Sequence, residues 1–307
     1  MTSSGPTSGI LLIDKPTGLT SHDVVAKTRR AAGTRKVGHA GTLDPMATGL
    51  LVLGLNSATR LLTYVVGLDK EYEATIRLGA STTTDDAEGE TLETAASGTV
   101  ERVTPEAIAA GLAAQTGAVL QRPSSVSAIK VDGRRAYARV RQGETVVLDA
   151  RPVTIASIDL LAERPVLDAA GATVLDLDVR VTCSSGTYIR AIARDLGDTL
   201  GVGGHLTALR RTRIGPFGVA QAHAIDTLDP STALVPPARV AAALFTVADL
   251  DAQQSIDLRN GKKIAFDGPA RTTFAAIDPA GDLIGLFEVR GGAARVLVNF
   301  PADKEPA

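Results

Sequence analysis

Gly38-His39-Ala-Gly41-Thr-Leu43-Asp44-Pro45-Met-Ala-Thr48-Gly49 runs directly into the apolar stretch Gly49–Leu55, and these residues set the reading of the chain. The residue before a proline is pushed out of the helical region, so Asp44 belongs to a turn or an extended segment. Gly49–Leu55 reads as a strand apolar on both faces. A carboxylate in a glycine-containing loop beside such a strand is held rigid yet reachable, which suits a nucleophile or a base. The same pattern also describes an ordinary Asp-Pro turn. A phosphate-transferring aspartyl hydrolase would need a second Asp two residues on, and that position is Met46.

Working outward, Gly9–Ile13 is a short apolar strand, and Thr20 with Asp23 makes a capping box ahead of Val24 and Val25. Ser57 reads as the cap of a helix through Val65. Tyr72–Leu78 alternates as a strand, and Thr82–Glu90 is an acidic, threonine-rich loop that reads as solvated. Thr104-Pro105-Glu106 opens a helix to about Thr116, ended by Gly117. Leu175, Leu177, Val179 and Val181 share one side of a strand, and Thr187 reads as the cap of a helix from Tyr188 to about Leu200. Asp229–Pro237, with three prolines, reads as a linker. Beyond it, 274–277, 283–289 and 295–298 are short strands, and five of the six phenylalanines lie after residue 240. The fold class is therefore α+β, without a repeating βα rhythm, followed by a small β module.

The 307 residues, 44% hydrophobic and 21% charged, describe an ordinary globular protein of one large domain or two unequal ones. No apolar run approaches the roughly 18–20 residues of a membrane span. Met1–Ser8 lacks the features of a secretory signal and reads as a disordered tail of a cytoplasmic protein. One cysteine, Cys183, excludes a disulfide framework or a cysteine-based metal centre, and four scattered histidines argue against a histidine metal site.

The net charge of −2 hides an uneven distribution. Residues 9–60 carry seven Lys/Arg against three Asp, 121–142 six against one, and 180–213 six against two, while 69–106 hold ten acids against three bases. A basic face can bind phosphate whatever the sum, although a solvated surface accounts for the same numbers. Arg190 falls in the first turn of its helix, against the helix dipole, which points to a partner carboxylate or an anionic ligand. Lys70 and Tyr72 at a strand start could meet phosphate and stack on a base. Arg210-Arg211-x-Arg213 reads as a phosphate-contacting cluster. The Gly201-Val-Gly-Gly204 loop lacks the spacing of a nucleotide-binding motif.

In this order the elements resemble the TruB family of tRNA pseudouridine synthases over about residues 9–213. The resemblance rests on Lys15-Pro16-x-Gly18-x-Thr20-Ser21 and on Gly38-His39-x-Gly41-x-Leu43-Asp44-Pro45-x-Ala47-x-Gly49. It continues through Lys70-x-Tyr72, Thr82-x-Thr84-x-Asp86-x-x-Gly89, Ser127-Ala128-x-Lys130 and Arg151-Pro152-Val153. Cys183-Ser-x-Gly186-Thr187-Tyr188-Ile189-Arg190, Asp195-Leu196-Gly197 and His205-x-x-x-Leu209-Arg210-Arg211 complete it. Arg122-Pro-Ser-Ser departs from the family by lacking a second proline. The resemblance implies a pseudouridine synthase fold over 9–238, a mixed, largely antiparallel sheet with flanking helices. It also implies a PUA-like β barrel over 246–303 that binds RNA.

It implies isomerisation of uridine 55 in the tRNA T-loop without a cofactor; a monomer is expected because tRNA binding requires no symmetry, and the residue pattern already argues against a metal site and a membrane span. Asp44 is the implied nucleophile, with Arg190 paired to it and Tyr72 stacked on a flipped base. His39 is implied to enter the vacated stack, and Tyr188 and Leu209 to wall the pocket. Lys70, Lys130, Arg210 and Arg211 are implied in substrate binding, and Lys15 in supporting the active site. A non-catalytic RNA-binding scaffold, a guide-RNA-dependent dyskerin-type synthase and a small-molecule hydrolase using Asp44 are the competing readings.

Overall fold

The computed structural model describes residues 8–124 and 148–301, with the backbone of Lys130–Val131 and Arg134–Arg135. Residues 1–7 of the expected tail and most of the basic stretch 121–142, including the side chain of Lys130, lie outside the described residues. The first elements are β1 (Gly9–Lys15), α1 (Ser21–Ala31), β2 (Val37–Ala40), β3 (Thr48–Leu55) and α2 (Leu62–Val66). Next come β4 (Lys70–Leu78), β5 (Ala80–Thr82), β6 (Thr91–Thr94), α3 (Pro105–Ala114) and β7 (Gly117–Gln121). β8 (Lys130–Val131), β9 (Arg134–Arg135), β10 (Arg151–Leu167), β11 (Thr173–Cys183), α4 (Ile189–Leu200) and β12 (Gly204–Ile214) follow. The chain ends with β13 (Phe217–Gly218), β14 (His223–Ala224), α5 (Pro230–Ala233), α6 (Pro237–Leu244), β15 (Thr246–Asp249), α7 (Ala252–Arg259), β16 (Thr273–Ile277), β17 (Leu283–Arg290) and β18 (Ala293–Asn299). Contacts divide the chain into one unit of residues 1–45, 49–66 and 216–307, and a second of 46–48 and 67–215.

In the first unit, β1 lies antiparallel to β3, from Gly9 opposite Leu55 to Lys15 opposite Gly49, and parallel to β14 on its other edge. Ile10, Leu11, Leu12 and Ile13 are all buried, as a strand paired on both edges and covered on both faces requires. The expected capping box of α1 is present: the Asp23 N–H donates to Thr20 Oγ1 and the Thr20 N–H to Asp23 Oδ2. Two local expectations fail. Ser57 caps no helix: residues 56–61 form a 3-10 turn ahead of α2, and the Ser57 hydroxyl donates to Ser8 instead. Ser8, placed in the expected tail, is buried by this contact. Asp229–Pro237 is not a linker either, because Asp229 caps α5 and Val235 exchanges two backbone hydrogen bonds with Ile10. Its prolines hide a segment that completes the backbone pairing of β1.

Toward the C-terminus β15 runs parallel to β16, and β16, β17 and β18 are antiparallel. The rings of Phe266, Phe274 and Phe287 pack at 4.9–5.4 Å between centroids, forming the phenylalanine core that the composition suggests. Among the described residues the four strands are open in the order β15-β16-β17-β18. β18 also meets Ala265 by an isolated bridge at Ala293, and among the described residues no strand pairing closes the sheet into a barrel.

The second unit is an antiparallel sheet in the order β12-β4-β11-β10-β7. β4 alternates strictly: Lys70, Tyr72, Ala74, Ile76 and Leu78 are buried and the residues between them are half-buried. The less buried face carries ion pairs across strands, Arg77–Asp176 at 2.8 Å and Arg180–Glu73 at 2.9 Å. α4 lies on the sheet at very close range. A Cβ on Gly197 would fall 2.1 Å from the Gly204 nitrogen, and one on Gly204 would fall 2.3 Å from the Ala193 carbonyl oxygen. Gly197 and Gly204 therefore serve helix-on-strand packing, and Gly201 is the left-handed C-cap of α4, consistent with the absence of a nucleotide-binding spacing. Among the described residues no helix is long and apolar enough to cross a membrane.

Candidate functional site

In the first unit Asp44 sits half-buried in the loop joining β2 to β3. The residues on either side of it are gripped by the segment after β1. Ser21, 1% exposed, donates its hydroxyl to the Leu43 carbonyl at 3.2 Å and accepts from the Leu43 N–H at 2.9 Å. On the other side the Pro45 carbonyl accepts from Lys15 Nζ at 3.2 Å and from the Gly18 N–H at 2.9 Å. Lys15 is completely buried, and its ammonium also donates to the carbonyls of Pro16 at 3.0 Å and Leu19 at 2.6 Å. A buried ammonium surrounded by carbonyl dipoles is a stiff cross-link between two loops. Lys15 thus holds the Asp44 loop from beneath, which rules out direct phosphate contact by its side chain in this conformation. His39, half-buried on β2, packs edge-to-face with His22 at 5.7 Å between ring centroids.

In the second unit the sheet brings Tyr72, Arg211 and Lys70 together on its buried face. Tyr72 lies opposite Val181 of β11 and Arg211 of β12, and residues opposite each other share a face. Arg211 is 1% exposed, so it does not belong to a surface phosphate cluster. Alternation along β12 turns the half-buried Arg210 away from Arg211, which points into the core, and a register shift between Arg211 and Arg213 leaves Arg213 half-buried as well. Arg210 reaches Thr48 Oγ1 at 3.5 Å, and Leu209, buried beside it, has its carbonyl 3.4 Å from the same hydroxyl. Lys70 is buried and donates to the Leu68 carbonyl at 2.6 Å, which removes it too from the phosphate contacts in this conformation. Burial, with the Arg211 charge adding to it, pushes the Lys70 ammonium down to about 8. Cys183, in register with Lys70, is pushed up to about 11 by burial and stays a thiol at neutral pH.

Arg190, also buried, finds the partner carboxylate that its place in a first helical turn calls for. Its Nη1 lies 3.2 Å from Asp86 Oδ2 and donates to the Thr84 carbonyl at 2.7 Å. Asp86 is 2% exposed and accepts from the Thr84 hydroxyl at 2.5 Å and from the Glu88 N–H at 3.0 Å. The loop read as solvated therefore contains a buried, fully ligated aspartate. The threonines around it were the available signal, since short hydroxyl side chains fold a loop back on its own acid. One turn along α4, Arg194 pairs with Asp85 at 3.1 Å and donates to the Arg122 carbonyl at 2.8 Å. Tyr188, not Thr187, is the N-cap of α4 and makes no side-chain cap bond. The Thr187 hydroxyl donates to the Ser184 carbonyl. Tyr188 is held instead by Gln121, whose Oε1 accepts from the Tyr188 N–H at 2.8 Å and whose Nε2 donates to the Tyr188 carbonyl at 3.0 Å. Gln121 belongs to no motif read from the sequence, and Asp86 enters there only within the Thr82-x-Thr84-x-Asp86-x-x-Gly89 motif of a loop read as solvated.

The mixed strand pairing with flanking helices matches known folds. The crystal structure of a Cbf5-Nop10-Gar1 complex gives a TM-score of 0.69 at 24% identity, over 97% of this chain and 86% of that one. An H/ACA RNP bound to a substrate RNA containing 2'-deoxyuridine gives 0.68 at 23%, over 97% and 87%. The fold is that of the pseudouridine synthases. Residues 29–189 match the TruB family pseudouridylate synthase N-terminal domain. Residues 190–236 match the tRNA pseudouridylate synthase B C-terminal domain, and 245–301 the tRNA pseudouridine synthase II C-terminal region. A tRNA pseudouridine synthase B from Leifsonia xyli is 62% identical over 97% of this chain and 98% of its own. One from Arthrobacter is 54% identical over 97% and 99%. The chain belongs to the TruB family; it is a tRNA pseudouridine synthase, and hence an isomerase.

Proposed function

We propose that this enzyme isomerises uridine 55 in the T-loop of tRNA, with Asp44 as nucleophile on a base flipped out of its stack. The observation that carries the reading is the grip on the Asp44 loop: Ser21 on Leu43, and Lys15 and Gly18 on Pro45. A nucleophile pre-positioned by buried hydrogen bonds loses little freedom when the reaction begins. In the net reaction the N1–C1′ bond breaks and a C5–C1′ bond forms. The C5 proton leaves to solvent and N1 gains a proton. Nothing is oxidised or reduced and no group is donated from outside, so the reaction calls for no cofactor.

Flipping costs a few kcal/mol, supplied by contacts to the displaced base and its vacated place. His39 fills the vacated stack, Tyr72 stacks on the flipped base, and Tyr188 and Leu209 wall its pocket. Arg190 acts with Asp44 in catalysis. Lys130 and Arg210 meet tRNA phosphates, which position the substrate without reading its sequence. Lys15, Lys70 and Arg211 work from inside the fold as supports. Residues 9–238 serve as the catalytic domain and 246–303 as a PUA-like RNA-binding module. The enzyme acts as a cytoplasmic monomer on the T-arm.

The test is tritium release from an unmodified tRNA transcript labelled at C5 of uridine, with wild type and Asp44→Asn in parallel. The reading expects release by wild type alone, mapped to the T-loop uridine, with tRNA affinity of the variant within a few fold. Release that survives Asp44→Asn removes Asp44 from its role. RNA binding with no release from any tRNA replaces the reading by the scaffold or by the guide-dependent enzyme.

A further inference from the structure

We infer that Gln121 is a positioning residue for the reaction, acting through Tyr188 and the start of α4; the inference rests on the function proposed above. Gln121 is the last residue of β7 and is 4% exposed. Its side-chain amide takes both polar groups of the Tyr188 peptide, accepting from the N–H at 2.8 Å and donating to the carbonyl at 3.0 Å. That geometry copies a residue pair in a β-ladder, with a side chain in place of a second backbone.

The need for such a grip is visible at the helix. α4 begins without a side-chain cap, and its N-cap is the bulky Tyr188. A helix start lacking a local Ser, Thr, Asp or Asn cap leaves its entry angle loosely set. Gln121 supplies that constraint from 67 residues away in sequence. The next residue adds to it, since the Arg122 carbonyl accepts from Arg194, one turn beyond Arg190. The corner at 121–122 therefore holds both the first and second turns of α4. Tyr188 is the proposed pocket wall and Arg190 the proposed catalytic partner, and they stand two residues apart on this entry. Rotation of the Tyr188 peptide would turn the ring and swing the guanidinium together.

Gln121→Leu removes both hydrogen bonds, while Gln121→Glu keeps the shape and the acceptor and replaces the donor by an oxygen. In single-turnover tritium release with enzyme in excess, we expect Gln121→Leu to slow the rate by about 30-fold or more, about 2 kcal/mol of barrier. Gln121→Glu should fall between Leu and wild type. The dissociation constant for tRNA, measured by filter binding, should stay within about twofold for both. Thermal unfolding confirms that each variant is folded at the assay temperature. A merely structural role would lower the melting temperature and leave the rate of the folded enzyme unchanged, and that result overturns the inference. A loss confined to tRNA affinity overturns it as well. Absence of release by wild type refutes the function proposed above, not the positioning role, so the two failures are distinct.

Discussion

Asp86→Asn tests how firmly the buried Arg190 is held. The substitution keeps the size of the side chain and lets its oxygen go on accepting from Thr84 and Glu88. It removes the negative charge 3.2 Å from Arg190, in a place where both side chains are 5% exposed or less. Removing one partner of a buried ion pair costs about 3–5 kcal/mol, because the remaining charge keeps its desolvation penalty. Arg190 retains the Thr84 carbonyl at 2.7 Å, which argues for the lower end, about 3 kcal/mol. At about 2–4 °C per kcal/mol for a large domain, the melting temperature should drop by about 6–12 °C. The assay is thermal unfolding followed by circular dichroism for wild type, Asp86→Asn, Arg190→Met and the double variant. If the pair interacts as described, the double variant is less destabilised than the sum of the singles. Tritium release under single turnover should fall with Asp86→Asn even well below its melting temperature, because Arg190 loses its ion pair and is less firmly held. A variant that melts within about 1 °C of wild type, with additive singles, refutes the reasoning.

Lys15→Met removes the ammonium from three carbonyls and should destabilise by about 3 kcal/mol while lowering turnover more than tRNA affinity; unchanged single-turnover release would detach the loop from catalysis. Lys70 gives a pH signature: its folded value of about 8 lies below the model-peptide value of 10.5 that the unfolded chain adopts. Between those values the unfolded chain binds the extra proton, so stability rises with pH through that window, and the full penalty, up to about 3 kcal/mol, applies below pH 8. Lys70→Met should therefore flatten the rise in melting temperature between pH 8 and 10, and identical slopes for variant and wild type would disprove the assignment. Arg210→Ala should weaken tRNA binding and reduce the slope of log K against log salt by about 1, and an unaltered slope takes Arg210 off the phosphate contacts.

Much of the local structure was readable. The capping box of α1 is a contact between residues three apart, and Thr20 and Asp23 carry it wherever the helix is placed. The helix start at Thr104-Pro105 is similarly self-contained, with Thr104 accepting from the Ala107 N–H. The strands β1, β3, β4 and β11 follow from apolar runs or alternation. The errors share one form. Ser57 and Thr187 are good caps by residue type, yet their hydroxyls go to Ser8 and to the Ser184 carbonyl. Asp229–Pro237 has linker composition, yet its Val235 pairs with Ile10. For Ser57 and Thr187 a hydroxyl had two possible partners and the non-helical one won, and at Val235 a pairing with a distant strand overrode what the composition suggests.

The candidate site divides along the same line. The motif residues Lys15, Gly18, Ser21, Leu43 and Pro45 could be picked out as a set from the sequence, and so could the order of elements that marks the family. The amino-acid sequence determines these because they are identities and spacings. What it did not determine is the direction in which each charge points. Lys15, Lys70 and Arg211 count as basic residues in composition, but all three side chains lie inside the fold. Asp86 counts as one acid in an acidic loop, but it is buried against Arg190. Burial follows from which strand edge and which helix face close over a residue. That depends on partners such as Thr84 and Arg190, 106 residues apart, or Gln121 and Tyr188, 67 apart. Contacts over such separations leave no periodicity in the chain, so only the tertiary structure decides them.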